Sequence, residues 1–73
     1  MKVKLLNNGG YPGLGHVSFP VDVEVNNHYD AGFDVIGAEL LRIGGDEEHL
    51  DIYSDYYFSI GLGECEVINE QIS

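Results

Sequence analysis

Apolar and polar residues alternate most regularly between Val17 and Val25, where Val17, Phe19, Val21, Val23 and Val25 are separated by Ser18, Pro20, Asp22 and Glu24. A period of two places one set of side chains against a core and the other in water, which is the pattern of a half-buried β-strand. Most of the apolar set is valine, whose branching at Cβ favours strand over helix. Pro20 has no N–H to give to a ladder, so the strand is predicted to lie at a sheet edge or to bulge there. The same alternation, in shorter form, predicts a strand over residues 2–6 with Val3 and Leu5 inward and Lys2 and Lys4 outward. Further strands are predicted at Phe33–Ile36, Tyr56–Ile60 and Glu64–Ile68, the last two flanking Gly61-Leu62-Gly63 as a hairpin-like connection.

Between these segments the chain is rich in turn residues. Residues 7–15 form a long link of asparagine, glycine and proline, and a loop of that length is often where a small domain does its work. Residues 26–32 make a second turn region. Gly37–Ile43 reads either as one or two helical turns or as another strand, and Gly44-Gly45 ends it in both cases. Asp46–Tyr53 reads as a short helical turn with Asp46 as its N-cap and acids in the first turn. The final residues are expected to fray. The fold class is therefore mostly β: one domain over residues 1–73, built as a small strongly bent antiparallel sheet or an SH3-like barrel of about five strands with one or two short helical turns. Such an architecture supplies no function by itself.

Composition narrows the setting. At 73 residues the chain is close to the smallest size that folds alone, and Cys65, its single cysteine, cannot form an intrachain disulfide. A reducing compartment, the cytoplasm, is the expectation. A second copy could supply the missing stability, and monomer and homodimer are left equally open. The start Met1-Lys2-Val3-Lys4-Leu5-Leu6 stops being apolar at Asn7, short of the roughly 7–15 residues of a secretory core, and no run approaches the roughly 18 apolar residues of a membrane span. The expectation is a soluble protein with no membrane partner.

Charge changes the picture most. Thirteen acids against three bases give a formal charge of −10, while the charged fraction of 22% is ordinary, so the sign bias is the unusual quantity. Residues 43–73 hold Asp46, Glu47, Glu48, Asp51, Asp55, Glu64, Glu66 and Glu70 and no lysine or arginine. Such a field repels nucleic acid, which excludes direct nucleic-acid binding, and it speeds encounter with basic surfaces. Solubility alone is the bland account of the same charge.

Candidate chemistry is sparse. The glycines of residues 9–15 lack the lysine and the following helix of a phosphate-binding loop. His16, His28 and His49 have no ligand-pair spacing, and neither metal nor cofactor is expected. Cys65 lies between Glu64 and Glu66, which raise a thiol pKa, and alternation puts it with Val67 on a buried face, so a structural cysteine is expected and no enzyme. The feature that survives is acid beside tyrosine: Asp46, Glu47, Glu48, Asp51 and Asp55 run into Tyr53, Tyr56 and Tyr57. Carboxylates pair with lysine and arginine, and phenol rings add cation–π contacts and apolar area. Asp22/Glu24 and Glu64/Glu66 are two apart on predicted strands, roughly 6.6 Å along the strand, which is about two phosphate rises of a DNA strand. A rigid row of that kind would imitate a nucleic-acid backbone.

Two resemblances bear on these residues. Gly44-Gly45-Asp46-Glu47-Glu48 looks like the signature of diguanylate cyclases, but the large α/β domain that carries it there has no room in this chain. The Lys2-Val3-Lys4-Leu5-Leu6 start, the Phe19–Val25 strand and the closing Glu64-Cys65-Glu66-Val67-Ile68 resemble small acidic accessory proteins of bacteriophages and prophages. That resemblance implies a host-takeover or anti-defence inhibitor, acting in the bacterial cytoplasm on a host protein with a basic, nucleic-acid-binding surface. Alternatives are a structural or assembly adaptor using the Val17–Val25 edge, and a small-ligand sponge in which Arg42, Lys2 and Lys4 offset the negative field. Under the inhibitor reading, binding weakens steeply with salt, and reversal of Glu47, Glu48 and Asp51 to lysine abolishes it in a pull-down.

Overall fold

The structure is a computed structural model that describes residues 1–68. The expected fraying of the chain end, and Glu70 with it, lie outside the described residues. Strand β1 spans Lys2–Leu5, β2 Val21–Glu24, β3 Asn27–His28, β4 Gly32–Ile36, β5 Asp55–Ser59 and β6 Cys65–Val67, with one α-helix, α1, at Gly37–Arg42 and a 3-10 turn at Pro12–Leu14. The chain is mostly β and every strand pair is antiparallel, as the alternation predicts. The strands do not form the single bent sheet or closed SH3-like barrel that was expected. They divide into two three-stranded sheets, ordered β2-β1-β6 and β3-β4-β5.

The division follows from where the chain crosses. Only Val25 and Asn26 separate β2 from β3, and the chain passes there from the first sheet to the second. It returns between β5 and β6. The Gly61–Gly63 segment therefore joins two sheets and is not a true hairpin, although Glu64 N–H donates to Ser59 O at 3.0 Å and closes the turn locally.

Alternation was a better guide to side-chain facing than to strand length. Val17 and Val23 are buried, Phe19, Val21 and Val25 are half-buried, and Ser18, Pro20, Asp22 and Glu24 are exposed, but ladder pairing starts only at Val21, after the proline. β2 is an edge strand. Of residues 37–43, Gly37–Arg42 resolve as helix, and the first amides of α1 are satisfied from outside it: Gly37 N–H donates to Ser54 O (2.8 Å) and Ala38 N–H to Ile52 O (3.2 Å). No side chain caps the helix, so sequence offered no start signal. Asp46–Leu50 forms a single hydrogen-bonded turn, shorter than the Asp46–Tyr53 stretch expected, and a second turn follows at Asp51–Ser54. Asp46 does take the capping part, accepting from the Glu48 N–H at 2.9 Å through Oδ1 and from the His49 and Leu50 amides through its carbonyl.

Both sheets drain into one core. Val3, Leu5, Val23 and Cys65 from the first sheet meet Phe33, Val35 and Phe58 from the second, with Leu14, Val17, Leu40 and Leu50 from the connections. The residue 7–15 link, expected to be a working loop, serves this core. Its Tyr11 ring stands edge-on to Tyr56 and Phe58, with centroids 5.2 and 5.4 Å away, and its hydroxyl donates to Tyr57 O at 2.9 Å. Burial, the largest influence, raises the Tyr11 pKa. Gly37 sits so close to the 51–54 turn that a Cβ there would lie 1.8 Å from Asp51 O. Backbone cannot yield as a flexible side chain can. Gly37→Ala is expected to cost at least about 2 kcal/mol, within reach of the whole net stability of so small a core; the shift in chemical-denaturation midpoint measures it.

Candidate functional site

The acids and tyrosines singled out by sequence fall in three places. Asp46, Glu47, Glu48, Asp51 and Tyr53 occupy the two consecutive turns between α1 and β5. Asp46 Oδ2 lies 3.8 Å from His49 Nε2, and Asp51 Oδ1 accepts the Tyr53 N–H at 2.9 Å, so both carboxylates shape their own turns. Glu47 and Glu48 are exposed, and Tyr53 is 83% exposed. Tyr56 points the other way: its ring packs on the core and its hydroxyl accepts the Asp51 N–H at 2.9 Å.

Asp22, Glu24 and Glu66 stand on the solvent face of the first sheet, but Lys2 and Lys4 stand between them. The register pairs Lys2 with Glu24 and Lys4 with both Asp22 and Glu66. The Lys4 ammonium lies 3.8 Å from Glu66, and the Met1 ammonium lies 2.9 Å from Glu24 and lowers its carboxyl pKa. Glu64 leaves the row altogether, its Oε1 accepting the Ser59 N–H at 2.9 Å. Signs alternate across this face, so its geometry is not that of a continuous phosphate-like row.

The third place gathers residues that sequence reading largely missed. On the solvent face of the second sheet, Asp34 of β4 lies opposite Tyr57 of β5, with Asp55 two positions along. Asn27 of β3 lies opposite Asp34, and its amide nitrogen reaches Asp34 Oδ2 at 3.2 Å and Asp55 Oδ2 at 3.4 Å. Asn26 donates to Asp55 Oδ1. Tyr29 O–H donates to Asp34 Oδ2 at 2.7 Å, and this bond is the main reason the Tyr29 pKa is raised. The Tyr29 and Tyr57 rings are 6.1 Å apart, and both are exposed. Gly32 makes room for this: a Cβ there would meet the Tyr57 hydroxyl at 2.5 Å. Each carboxylate can accept further hydrogen bonds beyond these. Of the acids predicted for the site, only Asp55 belongs here. Asp34 and Asp55 come together through a pairing of strands far apart in sequence, which no local pattern announces.

All three lysine and arginine side chains lie elsewhere. Lys2 and Lys4 are on β1, and Arg42 of α1 turns toward β2, donating to Glu39 through Nε (2.8 Å) and Nη2 (2.6 Å) and to Asp22 O at 3.5 Å. Glu39 Oε2 also accepts the Glu24 N–H at 2.8 Å. An open cleft of about 280 Å³ lies here between the end of β2 and α1, lined by Val25, Ile36 and Ala38 together with Glu24, Asn26, Glu39 and Arg42. Among the described residues no three or more histidines, cysteines or carboxylates are placed to hold a metal ion. Cys65 is buried, donates its thiol to Phe58 O at 3.5 Å, and has its pKa raised by burial first and by Glu64 second.

Comparison with protein-family models, with curated proteins and with solved structures finds no match to this chain.

The Arg42 bond holds the Glu39 carboxyl below its usual value of 4.5, against an opposing effect of burial. A lowered carboxyl pKa contributes stability above the unfolded value and loses it as pH falls through the folded value. Acid should therefore destabilise the wild type more steeply below pH 4.5 than it does Glu39→Gln, compared by denaturation midpoints across an acid series.

Proposed function

We propose that this chain is a non-enzymatic binding protein whose acid-and-tyrosine face on the second sheet occupies a basic surface of a protein partner. The observation that carries the reading is the separation of charge in the fold. Asp34, Asp55, Tyr29 and Tyr57 share one exposed face, the acidic turns of residues 46–54 adjoin it in the chain, and every lysine and arginine lies on or toward the other sheet. Carboxylates held by asparagine amides are already oriented, so less side-chain freedom is lost when a lysine or arginine meets them. The neighbouring rings offer cation–π contact to the same cation. With the resemblance to phage accessory proteins, this favours a stoichiometric inhibitor that covers the nucleic-acid-binding surface of a host defence or nucleic-acid enzyme in the bacterial cytoplasm. The sponge reading is weaker for an anionic ligand, because Glu24 and Glu39 outnumber Arg42 around the cleft.

The test is a pull-down from bacterial lysate at low and moderate salt, comparing wild type with an Asp34→Asn/Asp55→Asn/Tyr57→Ala variant. The expected result is a basic nucleic-acid-binding protein that is retained at low salt, competed off by DNA or RNA, and reduced at least about tenfold by the variant. Equal capture by both proteins would overturn the assignment of this face.

A further inference from the structure

The link that follows β1 needs a glycine at position 9. Gly9 holds φ at +60°, and a Cβ there would lie 2.9 Å from Phe58 Cε2. Asn8 precedes it, and this is the one asparagine of the chain followed by glycine. In such a pair the main-chain nitrogen of the glycine, once it has lost its proton to solvent base, can attack the asparagine Cγ. The attacking residue has no Cβ, which leaves that approach open. A bond forms from Cγ to the main-chain nitrogen, the bond from Cγ to Nδ2 breaks, and ammonia leaves with a proton taken from water. Water then opens the cyclic imide at either carbonyl, giving aspartate or an isoaspartyl linkage with one carboxylate gained.

Both reacting groups are held by hydrogen bonds in the fold. Asn8 Oδ1 accepts the Gly10 N–H at 2.8 Å, which folds the side chain back and keeps Cγ beside the Asn8–Gly9 peptide. The nucleophile is restrained by a different residue. Gly9 N–H donates to Asn7 Oδ1 at 2.8 Å, and Asn7 Nδ2 donates to Gly63 O at 3.3 Å, which ties the restraint to the 61–63 turn. The bond to Asn7 has to be given up before the Gly9 nitrogen can ionise and move onto Cγ. Asn7 and Asn8 are both exposed, so water and base reach the pair.

We infer that Asn8 is a site of spontaneous deamidation and that Asn7 slows the reaction by holding the Gly9 amide. The site is separate from the acid-and-tyrosine face and does not depend on what that face binds. In the isoaspartyl product the main chain runs through Cγ. The former Asn8 carbonyl, which accepts the Tyr11 N–H at 3.0 Å, becomes a free carboxylate beside the chain. The turn that sets Tyr11 against Phe58 is then lengthened by a carbon, so a change at the surface reaches the core.

The experiment incubates the full chain in mildly alkaline buffer, both native and unfolded in urea. Conversion of amide to acid is followed by intact mass and peptide mapping, and isoaspartate by isoaspartate-specific methylation. Asn8 should convert before Asn26 and Asn27, and more slowly in the native chain than in urea. This comparison needs no variant. Asn7→Ala should raise the native rate about fivefold, the equivalent of one hydrogen bond, and leave the rate in urea unchanged. Asn7→Asp keeps an acceptor for the Gly9 N–H and should keep the native rate slow relative to urea. Backbone-amide spectra check that each variant is folded. Absence of conversion at Asn8, conversion of Asn26 or Asn27 ahead of it, a native rate no slower than in urea, or equal native rates in wild type and folded Asn7→Ala would each overturn the inference.

Discussion

Phe33 and Phe58 face each other directly across β4 and β5, and both are wholly buried. In a domain this small they are the two largest side chains in the core, and the other elements are arranged to cover them. The first sheet supplies Val3, Leu5, Val23 and Cys65 to the same cluster. Tyr11 arrives from the long glycine-rich link and closes over Phe58, so that link covers part of the core. Neither three-stranded sheet could bury an apolar face of its own in water, so each depends on the other to exclude solvent.

Shared burial on one side leaves each sheet a separate solvent face, and the two faces differ in charge. On the first, lysines on the central strand separate the carboxylates of the outer strands, so positive and negative charge offset one another. On the second there is no base, and asparagine amides and a tyrosine hydroxyl hold the carboxylates instead. The chain's charge is therefore distributed unevenly in space as well as along the sequence. A distribution of this kind orients the protein as it approaches a basic surface, because the field is strongest on one side.

Edges are the other consequence of splitting the strands. Two short sheets have four edge strands, each a site where another chain could add. On β5 the outward groups are engaged by Tyr11 and Glu64, with the Tyr57 carbonyl accepting a phenol and Ser59 bonded at both its amide and carbonyl. On β2 the Glu39–Arg42 pair performs the same covering, its carboxylate largely buried and its guanidinium exposed, with a cleft beside it. The first closure is part of the core's own packing, and the second is held from a surface helix. Acids on this chain thus do several kinds of work: Glu64 and Glu39 close edges, Asp46 and Asp51 shape turns, and Asp34 and Asp55 present charge.

Local periodicity in the sequence determined which side chains are buried along residues 2–5 and 17–25, because alternation follows directly from the strand pleat. It also determined that Cys65 is inside, that the chain is mostly β, and that charge is concentrated after residue 42. The Gly37–Arg42 helix was legible only as one of two options, since its first amides are bonded by Ile52 and Ser54 rather than by a cap residue of its own. Tertiary structure alone decided that the strands fall into two sheets, because that depends on where Val25-Asn26 and Gly61–Gly63 carry the chain across the core. It also decided which acids stand together. Asp34 and Asp55 are 21 positions apart in the chain and meet through the β4–β5 register, while Glu64 and Glu66, two positions apart, are turned to different partners. Spacing along a strand constrains one face of one element, and a site assembled across strands is set by pairing between distant segments, whose register is a property of the packed core.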